Sequence, residues 1–217
     1  RQQLFVEGDD ARTRLSRFWM LLVLAAIIAT AGVVADSTAT VIGAMIVAPL
    51  MTPILGIVLG VVLGDRLNVI RSVALVFVGA AAVVAIAWLI GRVVMLPVVE
   101  LSNSQVAGRV HPRLIDLLAA LATGVVGSFA LVRRDISDTL PGVAIAISLV
   151  PPLAVVGLTL ESGAPDQARG ALLLFVTNVA AILATGVIVM ALSGVQRFGP
   201  ERGTLHRPSA IALVAAL

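Results

Sequence analysis

DSTATVIGAMIVAPLMTP, residues 36–53, returns in outline as DISDTLPGVAIAISLVPP, residues 135–152. The offset is a constant 99 residues: Asp36/Asp135, Thr40/Thr139, Gly43/Gly142, Ile46/Ile145, Leu50/Leu149 and Pro53/Pro152 coincide without a gap. Each copy is an apolar segment interrupted by proline, at Pro49 and Pro53 in the first and at Pro151 and Pro152 in the second. Proline removes a backbone donor and clashes with the preceding turn. Paired interruptions in two halves of a membrane chain point to a midplane path for a substrate or ion. Further matches such as Leu15/Leu114 and Leu75/Leu174 carry little weight in a chain dominated by Ala, Val and Leu. The paired Asp, Thr, Gly and Pro carry the signal.

Composition sets the class. Of 217 residues 59% are hydrophobic and 12% charged, with mean hydropathy +1.10; a soluble domain carries about 25% charged residues. All fifteen cationic residues are Arg, yet the net charge is only +3. The arginines are scattered at segment ends, where they read as membrane anchors rather than a nucleic-acid surface. The absence of Cys excludes disulfides, thiolate metal sites and a cysteine nucleophile. His111 and His206 fall in polar connections, and no HExxH motif, nucleophile elbow or P-loop is present. No enzymatic activity, metal or cofactor is therefore expected. The chain reads as a fragment, opening at Arg1 and stopping inside the apolar run Ala210–Leu217.

The expected fold is an all-α polytopic membrane protein. Residues 1–16 form a cytoplasmic N-terminal segment, 17–96 a first membrane repeat, 97–112 an outer loop with room for a short interfacial helix, and 113–192 a second repeat. Residues 193–217 form a polar tail and the start of a further apolar segment. Six transmembrane spans are expected at about 17–35, 41–64, 69–96, 114–132, 140–160 and 171–192, each near the twenty residues that hydrocarbon requires. A seventh would begin at the truncated C-terminus. Val33-Val34-Ala35 resembles a signal cleavage site, but the preceding apolar run exceeds the ~7–15 residues of a signal core. Three spans per copy is an odd number, so the two copies form a 3+3 inverted repeat with proline-broken second and fifth spans. With the N-terminus inside, eleven of the fifteen arginines lie on the inner side. A rival topology, with segments 2 and 5 as re-entrant hairpins, puts ten inside, so arginine bias barely separates the two. Segment length favours full spans.

The candidate path residues surround the interruptions. In hydrocarbon a carbonyl freed by proline must find a partner, and such breaks persist where they line a wet cavity or are buried in protein. Main-chain carbonyls near Pro49, Pro53, Pro151 and Pro152, with the hydroxyls of Thr52 and Ser148, are therefore candidate cation ligands, whereas half-helix N-termini suit anions. A kink that only shapes packing is the plainer reading. Asp36 and Asp135 precede the broken segments and, with Thr40 and Thr139, either cap helices or place a carboxylate at each mouth. Gly43 and Gly142 recur between these groups. Asn178, well inside span 6, either bridges helices or offers an ion ligand. Asp116, with Arg113 and Arg109 one and two turns before it, reads as a structural ion-pair cluster. Gly56, Gly60 and Gly64 share a helix face and read as packing positions.

GAMIVAPLMTPILGIVLGVVLGD (43–65), RVHPRLIDLLAALATGVVG (109–127) and LPGVAIAISLVPPLAVVG (140–157) resemble the prokaryotic "uncharacterized hydrophobic domain", domain of unknown function 389. The resemblance covers about Phe18 to Leu192. It implies a multi-pass protein of the prokaryotic plasma (inner) membrane, often with an attached soluble domain. By matching position it marks Pro49, Pro53, Arg109, Asp116, Gly142, Pro151, Pro152 and Asn178 as family-typical. It implies no settled substrate or reaction.

The function expected is that of a transporter or channel for an ion or small solute. A cation is favoured, because acidic groups and carbonyls outnumber basic groups near the breaks. The alternative is a non-transporting oligomeric module that relays a signal to a soluble domain absent from the fragment. The partners expected are the lipid bilayer, further copies of the chain (six spans enclose a path poorly) and a small ion or solute.

Overall fold

The computed structural model describes residues 11–132 and 149–193. Every regular element among them is helical: α1 (Ala11–Val34), α2 (Thr38–Val47), α3 (Met51–Leu63), α4 (Arg66–Val94), a 3-10 turn (Glu100–Ser102), α5 (Ser104–Val110), α6 (Leu114–Val132), α7 (Val150–Glu161) and α8 (Pro165–Leu192). Three helices, α1, α4 and α8, are long and apolar enough to cross a membrane. The number reaches five if the bent pairs α2–α3 and α5–α6 each count as one span. Two long helices start before their apolar runs. α4 begins at Arg66, capped by Asp65, whose carboxylate accepts from Asn68 N–H. α8 begins at Pro165, where a missing N–H costs nothing.

The reversals are made by the main chain. After α3 the chain turns through Gly64 (φ 73°), with Gly64 N–H donating to Val61 and Asp65 N–H to Gly60. After α7 it turns through Gly163 (φ 73°), with Gly163 N–H donating to Leu160 and Ala164 N–H to Thr159. Both are Schellman motifs, which need a residue in the left-handed region. α1 ends the same way, with Asp36 (φ 49°) in the left-handed position. The starts of α3 and α7, the starts of α4 and α8, and the two left-handed glycines are each 99 residues apart, the offset of the sequence copies.

Contacts give the directions. Asn68 Nδ2 donates to the Gly56 carbonyl (2.9 Å), and Leu50 lies against Gly79, so α3 runs antiparallel to α4. Gly157 packs on Val84, Ala87 and Trp88, and Glu161 packs on Gly91, so α7 runs parallel to α4. α3 and α7 therefore point in opposite directions along the same helix. The residues after α4 reach the α7–α8 turn (Val98 N–H to Ser162 Oγ, 3.0 Å) and then the end of α1 (Asn103 Nδ2 to the Val33 carbonyl, 2.6 Å). The C-terminal ends of α1 and α4 thus share one end of the bundle. The α2–α3 pair leaves that end and finishes at the start of α4, so it traverses the bundle with a 45° bend rather than returning.

The core sits around α7. Residues 150–159 are all buried, and α1, α2, α4, α5 and α8 all touch this helix. In lipid, apolar area does not drive helices together; close packing does. Small residues permit that closeness. Gly157 admits the α4 backbone, Gly186 admits Val58 and Ser128, and Gly124 admits Ile182 and Thr185.

Candidate functional site

The first interruption spans Ala48–Leu50. α2 ends with Ala48 N–H donating to the Ala44 carbonyl (3.1 Å), and Pro49 has no N–H to close on the Met45 carbonyl. α3 resumes at Met51, with Thr52 N–H donating to the Pro49 carbonyl (3.2 Å) and Pro53 in its first turn. The second interruption is described from Leu149 onward, where Pro151 and Pro152 occupy the first turn of α7. Prolines suit a buried helix start, because they remove the donors that would otherwise be orphaned there.

Both helix starts stand at one height. Leu50 Cδ2 lies 3.4 Å from where a Gly79 Cβ would stand, near the middle of α4. Counting back along α7 from Gly157 brings Val150 to the same part of α4. Leu50 and Leu149 belong to one apolar core with Phe175 and Ile182 of α8. Asn178 lies between those two on the same helix face and is 5% exposed. It is also level with Leu50, since α3 and α8 run the same way and Val58 packs on Gly186.

Polar satisfaction separates Asn178 from its surroundings. Thr30, Thr123, Thr159, Thr177 and Thr185 each donate a hydroxyl hydrogen bond to the carbonyl four residues back. Asn178 Oδ1 and Ser128 Oγ are buried and have no partner among the described residues. Buried polar atoms are paired in the great majority of cases, so each exception needs a physical account.

The other sequence candidates fall elsewhere. Asp36 is exposed; it accepts from Ser104 Oγ (2.7 Å) and Gln105 N–H (3.1 Å), tying the α1–α2 turn to the start of α5. The Ser104 hydroxyl foremost holds the Asp36 carboxyl below the usual carboxylate value. Thr40 is joined to Ser37, which caps α2. Gly43 has open space beside it, and Thr52 is exposed, whereas Pro49 is half-buried and Pro53, Pro151 and Pro152 are buried. Gly56 and Gly60 face α4, and Gly64 forms the reversal. Asp135, Thr139, Gly142 and Ser148 lie outside the described residues.

Asp116 accepts from Arg113 N–H (3.0 Å) and pairs with Arg113 Nε (3.3 Å), a capping arrangement for α6. Arg109 donates to the carbonyl (2.7 Å) and Oε1 (3.0 Å) of Gln105, and its Nε has no partner. Burial pushes the Arg109 guanidinium below its ordinary value, and the charge of Asp116 acts in the opposite direction. Ser128 had no sequence signal, because a lone serine in an apolar helix is unexceptional until its neighbours are known.

The family described as "Domain of unknown function (DUF389)" matches residues 45–184, well over half of the chain. The chain belongs to this family. The matched stretch begins at Met45, just before Pro49, and so takes in both DUF389 interruptions, Ser128 and Asn178. An uncharacterized protein of Methanocaldococcus jannaschii is 30% identical over 198 residues, covering 91% of this chain. The DUF389 chain spans 61% of the length of that relative. No solved structure matches it.

Proposed function

We propose that this DUF389 chain forms a membrane pathway for an ion or small solute, running between the two interrupted helices of a six-span, 3+3 inverted repeat. The observation that carries the reading is the common height of the two helix starts, with the unpaired Asn178 Oδ1 in the same core. Discontinuous helices near a bilayer midplane are a recurrent way to present main-chain polar groups to a passing species.

The repeat has support beyond helix boundaries. Shifted by 99 residues, the contact of Val58 with Gly186 becomes that of Gly157 with Ala87. α3 leans on α8 as α7 leans on α4, and the opposed directions of α3 and α7 suit an odd number of spans per copy. The traverse of α2–α3 favours full spans over re-entrant hairpins. In this reading α1, α2–α3, α4, α6, the segment ending in α7, and α8 are the six spans. The arginine distribution orients the N-terminus to the cytoplasm in a prokaryotic plasma membrane, and further copies of the chain complete the enclosure.

Proteoliposomes test the reading. Purified chain should carry flux of at least one of a panel of ions and small neutral solutes, and Asn178→Leu or Pro53→Ala should reduce it. Folded protein that carries none of the panel would overturn the pathway and favour the non-transporting module.

A further inference from the structure

α5 continues neither of its neighbours. Residues 95–99 and 111–113 have no regular structure, Pro97 and Pro112 stand in those links, and α5 is bent by 80° from α6. The base of the segment is held: His111 Nε2 meets Glu100 Oε1 at 2.9 Å, and Glu100 N–H donates to Gln167 Oε1 (3.0 Å) near the start of α8. Between these ends α5 lies across the end of the bundle where α1 and α4 finish. Its first turn meets the α1–α2 turn, and its flank touches α7. Its last residue, Val110, sets its carbonyl against Gly170 of α8 too closely for any side chain there. α2 and α7 both run between the interruptions and this same end, so α5 sits over the half of the bundle that they occupy.

The helix is fastened at one end and penalised at the other. Among the described residues, its hydrogen bonds to other helices all come from its cap and first turn. Asn103 Nδ2 donates to the Val33 carbonyl, Ser104 Oγ and Gln105 N–H donate to Asp36, and Gln105 Nε2 donates to Thr38 Oγ1 (2.8 Å). Further along, Arg109 returns both of its bonds to Gln105 of the same helix, and its Nε is buried without a partner among the described residues. A buried donor left unpaired disfavours the seated position; water would satisfy it once α5 lifts.

We propose that α5 is a moving cover: seated, it closes this end of the bundle, and release of the bonds to Asp36 and Thr38 lets residues 103–110 lift from a base that stays held. The inference rests on the pathway reading, in which the cover is the outer gate. The two faces of α5 suit such a motion. Val106 and Val110 are buried in one core with Leu153 and Leu158 of α7, whereas Ala107 and Gly108 are exposed, and nothing lies within 4 Å of a Gly108 Cβ. Lifting therefore uncovers two valines on the inner face and meets no obstacle on the outer one. A segment with few buried apolar contacts opens at a small fraction of the global stability. As a seven-residue helix between irregular links, α5 can leave without unwinding.

Cysteine reports the motion cleanly, because the chain has none of its own. In lipid nanodiscs a charged maleimide reaches both faces of the full chain. Val106→Cys, fully buried while α5 is seated, should label slowly, and about tenfold faster when Asp36→Ala is added, the worth of one hydrogen bond to a charged group. Leu22→Cys, fully buried between α1 and α4, should not accelerate with it. In proteoliposomes, Thr38→Cys and Gln105→Cys joined by a short reducible cross-linker should cut flux about tenfold, and reduction should restore it. Labelling of Val106→Cys that Asp36→Ala leaves unchanged would overturn the cover. So would equal acceleration at Leu22→Cys, which would mean general loosening. If Asp36→Ala does not fold, Thr38→Val, which removes the acceptor of Gln105, replaces it under the same criterion. Faster labelling at Val106→Cys with no flux of any solute would uphold the cover and remove the pathway. Flux that ignores complete cross-linking would keep the pathway and remove the cover.

Discussion

Replacing Gly157 by alanine isolates the packing of α7 on α4. A Cβ at this position would stand 2.6 Å from Ala87 Cβ and 2.9 Å from Trp88 N, and closer still to the Val84 carbonyl. Ordinary contact begins at 3.4 Å, so α7 has to retreat by about 0.8 Å against Ala87, in an interior packed as densely as an organic crystal. The neighbours are largely main chain of a 29-residue helix and do not rotate away. Overpacking of this kind costs about 1–3 kcal/mol. The intrinsic preference of helices for Ala over Gly returns at most about 1 kcal/mol. With rigid neighbours the upper end of the cost applies, and the net loss is about 2 kcal/mol. Gly43→Ala is the control: nothing lies within 4 Å of its Cβ, so the same propensity gain is unopposed. Reversible unfolding in mixed micelles, followed by helical circular dichroism, should show Gly157→Ala below and Gly43→Ala at or above the parent chain. Equal stability of the two variants would refute the close α4–α7 approach.

Three further outcomes follow from named contacts. Asn103 accepts from Val106 N–H and donates to the Val33 carbonyl while 7% exposed; Asn103→Ala strands the Val106 N–H and leaves Val33 with only the Asp36 N–H, and should cost about 1–3 kcal/mol in the same unfolding assay. The Asp36 carboxyl is held below its ordinary value, so its hold on Ser104 and Gln105 is present above the ordinary carboxylate range and is lost as pH falls through the lowered value. Amide exchange at the start of α5 should accelerate there in the parent chain. In Asp36→Asn, which keeps an acceptor but cannot titrate, exchange should show no such acid step. Pro151→Ala places a new N–H in the first turn of a buried helix and should cost about 1–3 kcal/mol if the surroundings are dry. An unchanged midpoint would mean that water reaches the start of α7.

The helical class and the first interruption were legible in the sequence, because hydropathy, proline and a repeated pattern act locally. α6 occupies residues 114–132, as the apolar run does. The starts of α4 and α8, at Arg66 and Pro165, precede their apolar runs, since hydropathy ignores a polar first turn that capping and proline make helical. The bond of Asp36 to α5 joins groups 68 and 69 residues apart and leaves no local trace. Asn178 could be singled out because an amide is rare within an apolar segment. Ser128 could not, because what marks it is the absence of a partner, which only the packing of α6 on α8 exposes.

The turns at Gly64 and Gly163 are closed entirely by amides and carbonyls within five residues of each other. The main-chain closure of each turn is therefore local, although Val98 N–H also reaches Ser162 in the second, and α3–α4 is complete in the chain before synthesis of α7 begins. Insertion into the bilayer can then proceed hairpin by hairpin. A side chain forced onto either glycine would strain its turn by about 1–2 kcal/mol, a cost borne by the inserting hairpin and by the mature protein alike.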